Sequence, residues 1–326
     1  MADTPVILRG RTYADWSHRG LISVSNPSAT AGFQAKITVA WKTGMNSDFS
    51  DIRFSDKFGK AISYWIESKT DGSTADIWVA LPADDTYIYL FYGNGSATDA
   101  GDGDTVFELF DDFNRANSAT VGNGWTESGD AQILDNNLYA ADTASYAYKT
   151  FDFSAGSFEA VASMKSTAHA RSLYMDMRDG TERALVAFSL YTSAPNNDAL
   201  ISYNPDTSLV DPYSTSAYYR VSIKRNGAND YDIDIDNGSV TQSGYDPSTS
   251  TTDKRLYLHL ANDSGSAGYV DWIFVKKSAT TEPTLSITIT SINPNYPHIV
   301  IIPEDVAGAP KIIPEQLGLH PIGGLY

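Results

Sequence analysis

The groups in this sequence that could do chemistry are its histidines and acids, and their spacing excludes most of what they could do. The five histidines, His18, His169, His259, His298 and His320, stand singly and read as satisfied or solvent-facing side chains. None forms the His-Glu-x-x-His pair that holds a catalytic zinc on one helix face. There is no Gly-x-Ser-x-Gly elbow to present a nucleophile and no Gly-Lys-Ser/Thr to close a phosphate loop. Gly93-Asn94-Gly95, Gly101-Asp102-Gly103 and Gly122-Asn123-Gly124 lack that lysine and read as turns. Cysteine is absent, which removes disulfides, thiolate catalysis, zinc–thiolate centres and iron–sulfur clusters together. Paired carboxylates for glycoside hydrolysis are defined by separation in space, which spacing in sequence does not give. No catalytic residue is assigned, and the chain reads as non-enzymatic.

Two acidic constellations remain. Asp232-Ile233-Asp234-Ile235-Asp236-Asn237-Gly238 opens like a calcium loop, but its glycine falls one place late and Ser243 stands where the bidentate glutamate belongs. The alternation of Tyr231, Ile233 and Ile235 makes it a half-buried strand with an acidic outer face. Asp111 and Asp112 open a second domain, and Asp271 lies in that domain's last strand, 269–275. First and last strands of a sandwich are often neighbours. These carboxylates would then either share a structural calcium ion, the one cofactor expected, or cap turns. Tyr213, Tyr218 and Tyr219, with Tyr203, are candidate rings for stacking on sugars, set against the ordinary use of tyrosine in sheets.

The elements that must position these groups are strands. Short runs rich in Tyr, Trp, Thr, Val and Ile are broken by Gly, Asn, Asp and Ser, and no amphipathic pattern exceeds about ten residues at the 3.6 period. After an N-terminal arm, 1–15, Ile37, Val39 and Trp41 fall on one face of 34–41. Tyr64 and Ile66 oppose Trp65 within 63–68, and Ile77, Val79 and Leu81 align in 75–81. The run 86–92 is apolar on both faces and reads as a central strand. A small, acidic, Gly-rich stretch near 97–104 marks a linker. A second strand series runs to Lys277, its clearest hairpin being 219–225 with 231–236.

From 278 to 326 the prolines Pro283, Pro294, Pro297, Pro303, Pro310, Pro314 and Pro321 predict an extended arm. It repeats one word: Ile301-Ile302-Pro303-Glu304 returns as Ile312-Ile313-Pro314-Glu315. Such a segment suits strand addition to a neighbouring subunit. Ile301, Ile302, Ile312 and Ile313 are its expected contacts, with copies of the same chain or other assembly subunits as partners.

The 326 residues carry 40 acids against 23 lysines and arginines, a net charge of -17. That opposes nucleic-acid binding and docking on anionic lipid. A 42% hydrophobic content supports packed cores. The run Val6-Ile7-Leu8 is too short for a signal-peptide core, and no stretch is long enough to span a bilayer. A virion protein, made in a host cytoplasm and released by lysis, is expected to look this way.

Specific words point to families. Trp16-Ser17-His18-Arg19-Gly20-Leu21-Ile22, Met45-Asn46-Ser47-Asp48-Phe49-Ser50-Asp51-Ile52-Arg53-Phe54-Ser55-Asp56, Tyr64-Trp65-Ile66-Glu67-Ser68 and Ile88-Tyr89-Leu90-Phe91-Tyr92-Gly93-Asn94 resemble, in order, the family named domain of unknown function 2341, over 16–108. Phe110-Asp111-Asp112-Phe113-Asn114-Arg115, Gly124-Trp125-Thr126-Glu127 and Val270-Asp271-Trp272-Ile273-Phe274-Val275 are similar to a concanavalin A-like or laminin G-like sandwich, over 109–277. The first resemblance implies a small β-sandwich in surface and phage-like proteins, with no activity to carry over. The second implies glycan or protein binding.

The expected architecture is all-β: two tandem antiparallel β-sandwiches, the second a concanavalin-like jelly roll, and the extended Pro-rich arm. The expected function is a non-enzymatic structural protein of a viral or extracellular assembly, on a virion or extracellular surface, displaying a lectin-like sandwich for host or glycan attachment. The alternatives are a secreted glycan-binding adhesin module and, third, a jelly-roll glycosidase or lyase.

Overall fold

The computed structural model describes residue 13 and residues 15–141, 144–167, 173–179, 184–193, 196–202, 207–210, 214–227, 230–235, 240–245, 253–261 and 267–288. Four antiparallel sheets stack to make two sandwiches. Among the described residues the one α-helix is the single turn Gly103–Val106, capped by the Asp102 side chain.

The first sandwich faces a five-stranded sheet onto a three-stranded one. The five-stranded order is Thr284–Thr288, His18–Ser25, Tyr87–Tyr92, Arg53–Ser55 and Ala61–Ile62. The three-stranded order is Phe33–Ala40, Thr74–Leu81 and Tyr64–Thr70. Successive strand side chains point to opposite faces. Ile22, Val24, Ile88, Leu90 and Phe54 therefore meet Ala35, Ile37, Ile77 and Val79 in one core. Tyr87–Tyr92 takes a central place, as its sequence predicts. The edge strand Thr284–Thr288 comes from the segment read as a C-terminal arm. It pairs with His18–Ser25 and packs Leu285 and Ile287 on this core, so the arm's first part completes its own first sandwich. The isoleucines at 301, 302, 312 and 313 lie outside the described residues.

The second sandwich packs an eight-stranded sheet on a seven-stranded one. Ala267–Lys277 is the long central strand of the first. It pairs on one side with Phe158–Ser166, and on the other with Asn137–Ala141 and Leu109–Asp111 in turn. The expected neighbourhood of first and last strands is thus present. Tyr219–Gly227 and Asp230–Ile235 form the expected hairpin. Tyr231, Ile233 and Ile235 are fully buried, which makes the acidic word a strand. In the seven-stranded sheet, Asp253–Ala261 lies between Leu173–Asp179 and Ser145–Thr150, with Thr126–Ser128 beyond.

A third core joins the sandwiches. Trp65 and Trp78 point away from the first core and meet Phe107, Phe110, Val161, Trp272 and Phe274. Around it, buried Gln34 donates to the Val106 carbonyl (2.8 Å) and accepts from the Lys277 N–H (2.9 Å). Glu67 accepts from Trp78 Nε1 and from Arg220 Nε, the latter at 2.8 Å across the junction. Burial opposes the charge of Glu159, but the Lys276 ammonium at 2.9 Å holds its carboxyl below the usual range.

Candidate functional site

The carboxylates expected to share a cation separate into two roles. Asp111 Oδ1 accepts from the Phe113 N–H (2.8 Å) and Arg115 Nη1 (2.7 Å). Its Oδ2 accepts from Asn123 Nδ2 (2.9 Å), Trp125 Nε1 (2.8 Å) and, more weakly, Arg115 Nη2 (3.3 Å). Burial pushes this carboxyl up, but these donors outweigh it and hold it below the ordinary range. The knot also fixes Phe113 at φ +50°, an uncommon conformation for a bulky residue. The Phe-Asp-Asp-Phe-Asn-Arg word and the later Gly-Trp word are therefore one structural device, with Asp111 tying the entry loop shut.

Asp271 occupies a β-bulge. Ser163 faces Trp272 and Met164 faces Val270, which leaves Asp271 without a register partner on that strand. Burial, then the nearby Asp112, raise its carboxyl pKa against the pull of Lys165. The carboxylate that Asp271 feels is thus that of Asp112. Among the described residues, no group of three or more His, Cys, Asp or Glu is placed to hold a metal ion.

Of the tyrosines singled out, Tyr203 and Tyr213 lie outside the described residues. Tyr218 points outward, 38% exposed, and its hydroxyl donates to Asn137 Oδ1 (2.7 Å). Lys165 Nζ sits over the rings of Tyr218 (4.5 Å) and Tyr269 (4.4 Å). Burial, Asp271 and Tyr269 push the Tyr218 hydroxyl up to about 12, against the bond to Asn137. Tyr219, one residue on, points the other way into the core and accepts the Ser214 N–H at 2.7 Å. Tyr218, just before the strand Tyr219–Gly227, is exposed while Tyr219 is buried, so the two do not share a surface.

A broader aromatic surface lies on the outward face of the seven-stranded sheet, and reading the sequence alone missed it. Ala147, Leu256, Leu258 and Leu260 face the core. Their neighbours Tyr146, Tyr148, Arg255, Tyr257 and His259 therefore face out. Cross-strand register places Tyr146 beside His259 and Tyr148 beside Tyr257. Tyr148 and Tyr257 lie nearly parallel, 7° apart with centroids at 5.6 Å, and Tyr146 meets Tyr257 at 4.9 Å. Tyr257 also meets His259 at 4.7 Å, and the Arg255 guanidinium covers Tyr148 at 4.4 Å. Tyr257 is buried beneath the row, while Tyr146, Tyr148 and His259 are half-buried. On the flanking strand Thr126 and Ser128 stand in register with Tyr148 and Tyr146. The available signal was alternation: Tyr146 with Tyr148, and Tyr257 with His259.

This surface offers ring faces for C–H contacts, with hydroxyl, imidazole and guanidinium groups for polar ones. One serine–histidine contact exists elsewhere, Ser17 Oγ to His18 Nδ1 at 2.8 Å. Ser17 donates to the Gly93 carbonyl (2.9 Å) and His18 stacks on Tyr92, so the pair stabilises a turn.

Among curated proteins, none matches the chain. Among solved structures, a protein described as a sialidase is similar at 12% identity and TM-score 0.42, over 63% of this chain and 20% of that one. This chain thus spans a fifth of the sialidase's length. The Emp47p carbohydrate recognition domain is similar at 10% identity and TM-score 0.38, over 52% of this chain and 94% of that one. A putative beta-glucanase from Mycobacterium abscessus is similar at 13% identity and TM-score 0.38, over 52% and 99%. Residues 48–128, from the first sandwich through the aromatic junction into the Asp111 knot, match the family model described as Domain of unknown function (DUF2341).

Proposed function

We propose that this protein is a non-enzymatic structural component of a viral or extracellular assembly, and that its second sandwich attaches to glycans through the outward face of the seven-stranded sheet. The observation that carries the reading is the Tyr146, Tyr148, Tyr257 and His259 row, with Arg255 at its end. Sugar rings present C–H faces to aromatic rings and hydroxyls to flanking polar groups, and this row supplies both. The other broad sheet of the same sandwich is partly covered by the first sandwich through Trp272 and Phe274, which leaves the tyrosine face as the larger outlet.

A glycan array probed with the full chain, followed by calorimetry on the best ligand, tests this. Tyr146→Ala and Tyr148→Ala are each expected to weaken binding roughly two- to tenfold, since one aromatic contact contributes ~0.5–1.5 kcal/mol. Absence of glycan binding, or equal binding by both folded variants, overturns it. Cleavage of the bound glycan by the wild-type chain would replace attachment with catalysis. Imaging the native particle separates an assembly subunit from a secreted adhesin bearing the same face.

A further inference from the structure

The junction covers only part of the eight-stranded sheet, and the open part of that outward face carries a cluster with no role so far. Register sets its place. Ser163 faces Trp272 on one neighbouring strand and Arg220 on the other. Trp272 packs on Trp65 and Arg220 reaches Glu67, so the first sandwich stands at this edge. Two residues on, Lys165 shares the face of Ser163 and stands beside Tyr269, which in turn stands beside Tyr139. The Tyr139 and Tyr269 rings meet at 4.9 Å, 54° apart. Tyr218, tethered to Asn137, lies on the other side of Lys165, so the ammonium is pinned by two rings at 4.4 and 4.5 Å. The bulge at Asp271 adds a carboxylate that feels both Lys165 and Asp112.

Polar atoms without protein partners distinguish this cluster. Lys165, Tyr269 and Asp271 are all half-buried. Among the described residues, Lys165 Nζ, the Tyr269 hydroxyl and the Asp271 carboxylate make no hydrogen bond or ion pair within the protein. A half-buried carboxylate without donors is destabilising, and burial raises its pKa accordingly. The aromatic row on the outward face of the five-stranded sheet is different. There Tyr87, Tyr89 and Phe91 follow one another with centroids at 5.7 and 6.4 Å. Its polar groups are engaged within the row: the Tyr87 and Tyr89 hydroxyls bond each other, and Arg19 covers Tyr89 at 4.3 Å.

We propose that the Lys165, Tyr269 and Asp271 cluster is a second saccharide site and takes a neutral pyranose. Hydroxyls of the sugar donate to the Asp271 carboxylate and accept from Lys165 Nζ and the Tyr269 hydroxyl, while its C–H face lies on the tilted Tyr139 and Tyr269 rings. A pyranose sets closely spaced hydroxyls beside an apolar ring face, which is the complement of this cluster. A sugar acid is disfavoured, because its carboxylate would meet Asp271 and Asp112. Tyr218 and Tyr269 hold the ammonium in place before the ligand arrives, which lowers the cost of ordering it. The site lies on the opposite sheet from Tyr146 and Tyr148 and does not depend on their role.

Ligand-observed NMR titration of the full chain in chelator tests the proposal, with the methyl glycosides of glucose, galactose, mannose and N-acetylglucosamine as probes. The chain used carries Tyr146→Ala and Tyr148→Ala together, so that binding at the other face does not contribute. At least one probe is expected to bind. Adding Asp271→Asn or Lys165→Met is expected to weaken that binding roughly tenfold or more, the scale of a hydrogen bond to a charged group. Methyl glucuronide is expected to bind more weakly than methyl glucoside. Melting curves check that each variant folds, and Tyr269→Phe, which keeps the ring and removes the hydroxyl, stands in should Lys165→Met fail to fold. No binding by any probe, unchanged binding in the folded Asp271→Asn and Lys165→Met variants, or tighter binding of the glucuronide overturns the proposal. Loss of all binding in the Tyr146 and Tyr148 background, with binding intact in the wild type, sinks this site and leaves the tyrosine face standing.

Discussion

Replacing Trp65 by alanine is expected to uncouple the two sandwiches. The indole is 9% exposed and packs edge-on against Phe110 (5.0 Å), Phe107 (5.7 Å), Trp272 (5.7 Å) and Phe274 (5.9 Å). It belongs to the junction and to neither sandwich's own core. A buried tryptophan removes ~150–250 Å² from water, worth roughly 4–6 kcal/mol at about 25 cal/mol per Å². Truncations of this kind cost about 3–5 kcal/mol. That loss falls on the coupling between units. Each kcal/mol moves the melting temperature by about 4–8 °C in a domain of roughly 60–100 residues, and by about 2–4 °C at 150–250 residues. The smaller sandwich should therefore melt at least ~12 °C earlier, while the larger one melts near its own temperature. Scanning calorimetry is expected to show one endotherm for the wild type and two for the variant. A single endotherm shifted by less than about 5 °C would refute the idea that Trp65 couples the domains.

The remaining predictions concern charges and one close contact. Asp111→Asn should cost about 3–5 kcal/mol by leaving Arg115 without its counter-charge. Because the folded Asp111 carboxyl lies below its unfolded value of about 3.9, its stabilisation is complete above that pH and disappears as pH falls through the folded value. Urea midpoints from pH 6 to 2 should thus converge for wild type and variant. The raised carboxyl of Asp271 has the opposite sign: its contribution is full below about pH 3.9 and is lost as pH rises through the folded value. Asp271→Asn should therefore melt higher than wild type at neutral pH in chelator, with the difference closing in acid. Calcium should raise the melting temperature of the wild type and not of Asp271→Asn; indifference of the wild type to both calcium and chelator removes the ion from the account. Gly268→Ala would place a methyl 2.0 Å from the Leu260 carbonyl oxygen, and circular dichroism should show a loss of about 3 kcal/mol or more.

Local pattern made the strands legible, and distance in sequence hid the rest. Ile77, Val79 and Leu81 announce their face by alternation alone, and so do Tyr231, Ile233 and Ile235. Trp65 and Trp78 announced something too, because a large aromatic on the supposed water face of a strand needs a cover. That cover, Phe274 and Trp272, lies some two hundred residues away in sequence. Asp111 read equally as a cation ligand or a turn cap, because its partners Asn123 and Trp125 are delivered by a loop whose path no periodicity describes. Leu285 and Ile287 do alternate, but the proline-rich character of the following sequence concealed a strand that closes the first sheet.

A sandwich has two outer faces, and stacking two sandwiches removes one face from each. The aromatic junction takes the three-stranded sheet of the first and part of the eight-stranded sheet of the second. What stays open is the five-stranded sheet at one end of the stack and the seven-stranded sheet at the other. Both carry tyrosine rows where a solvated sheet would ordinarily carry short polar residues. The junction between them is fastened by Glu67 with Arg220, Lys277 Nζ with the Gly32 carbonyl and Gln34 with two backbone groups, so the two rows are held in fixed relation. The two aromatic faces therefore sit at opposite ends of the stack, and contact at one does not obstruct the other.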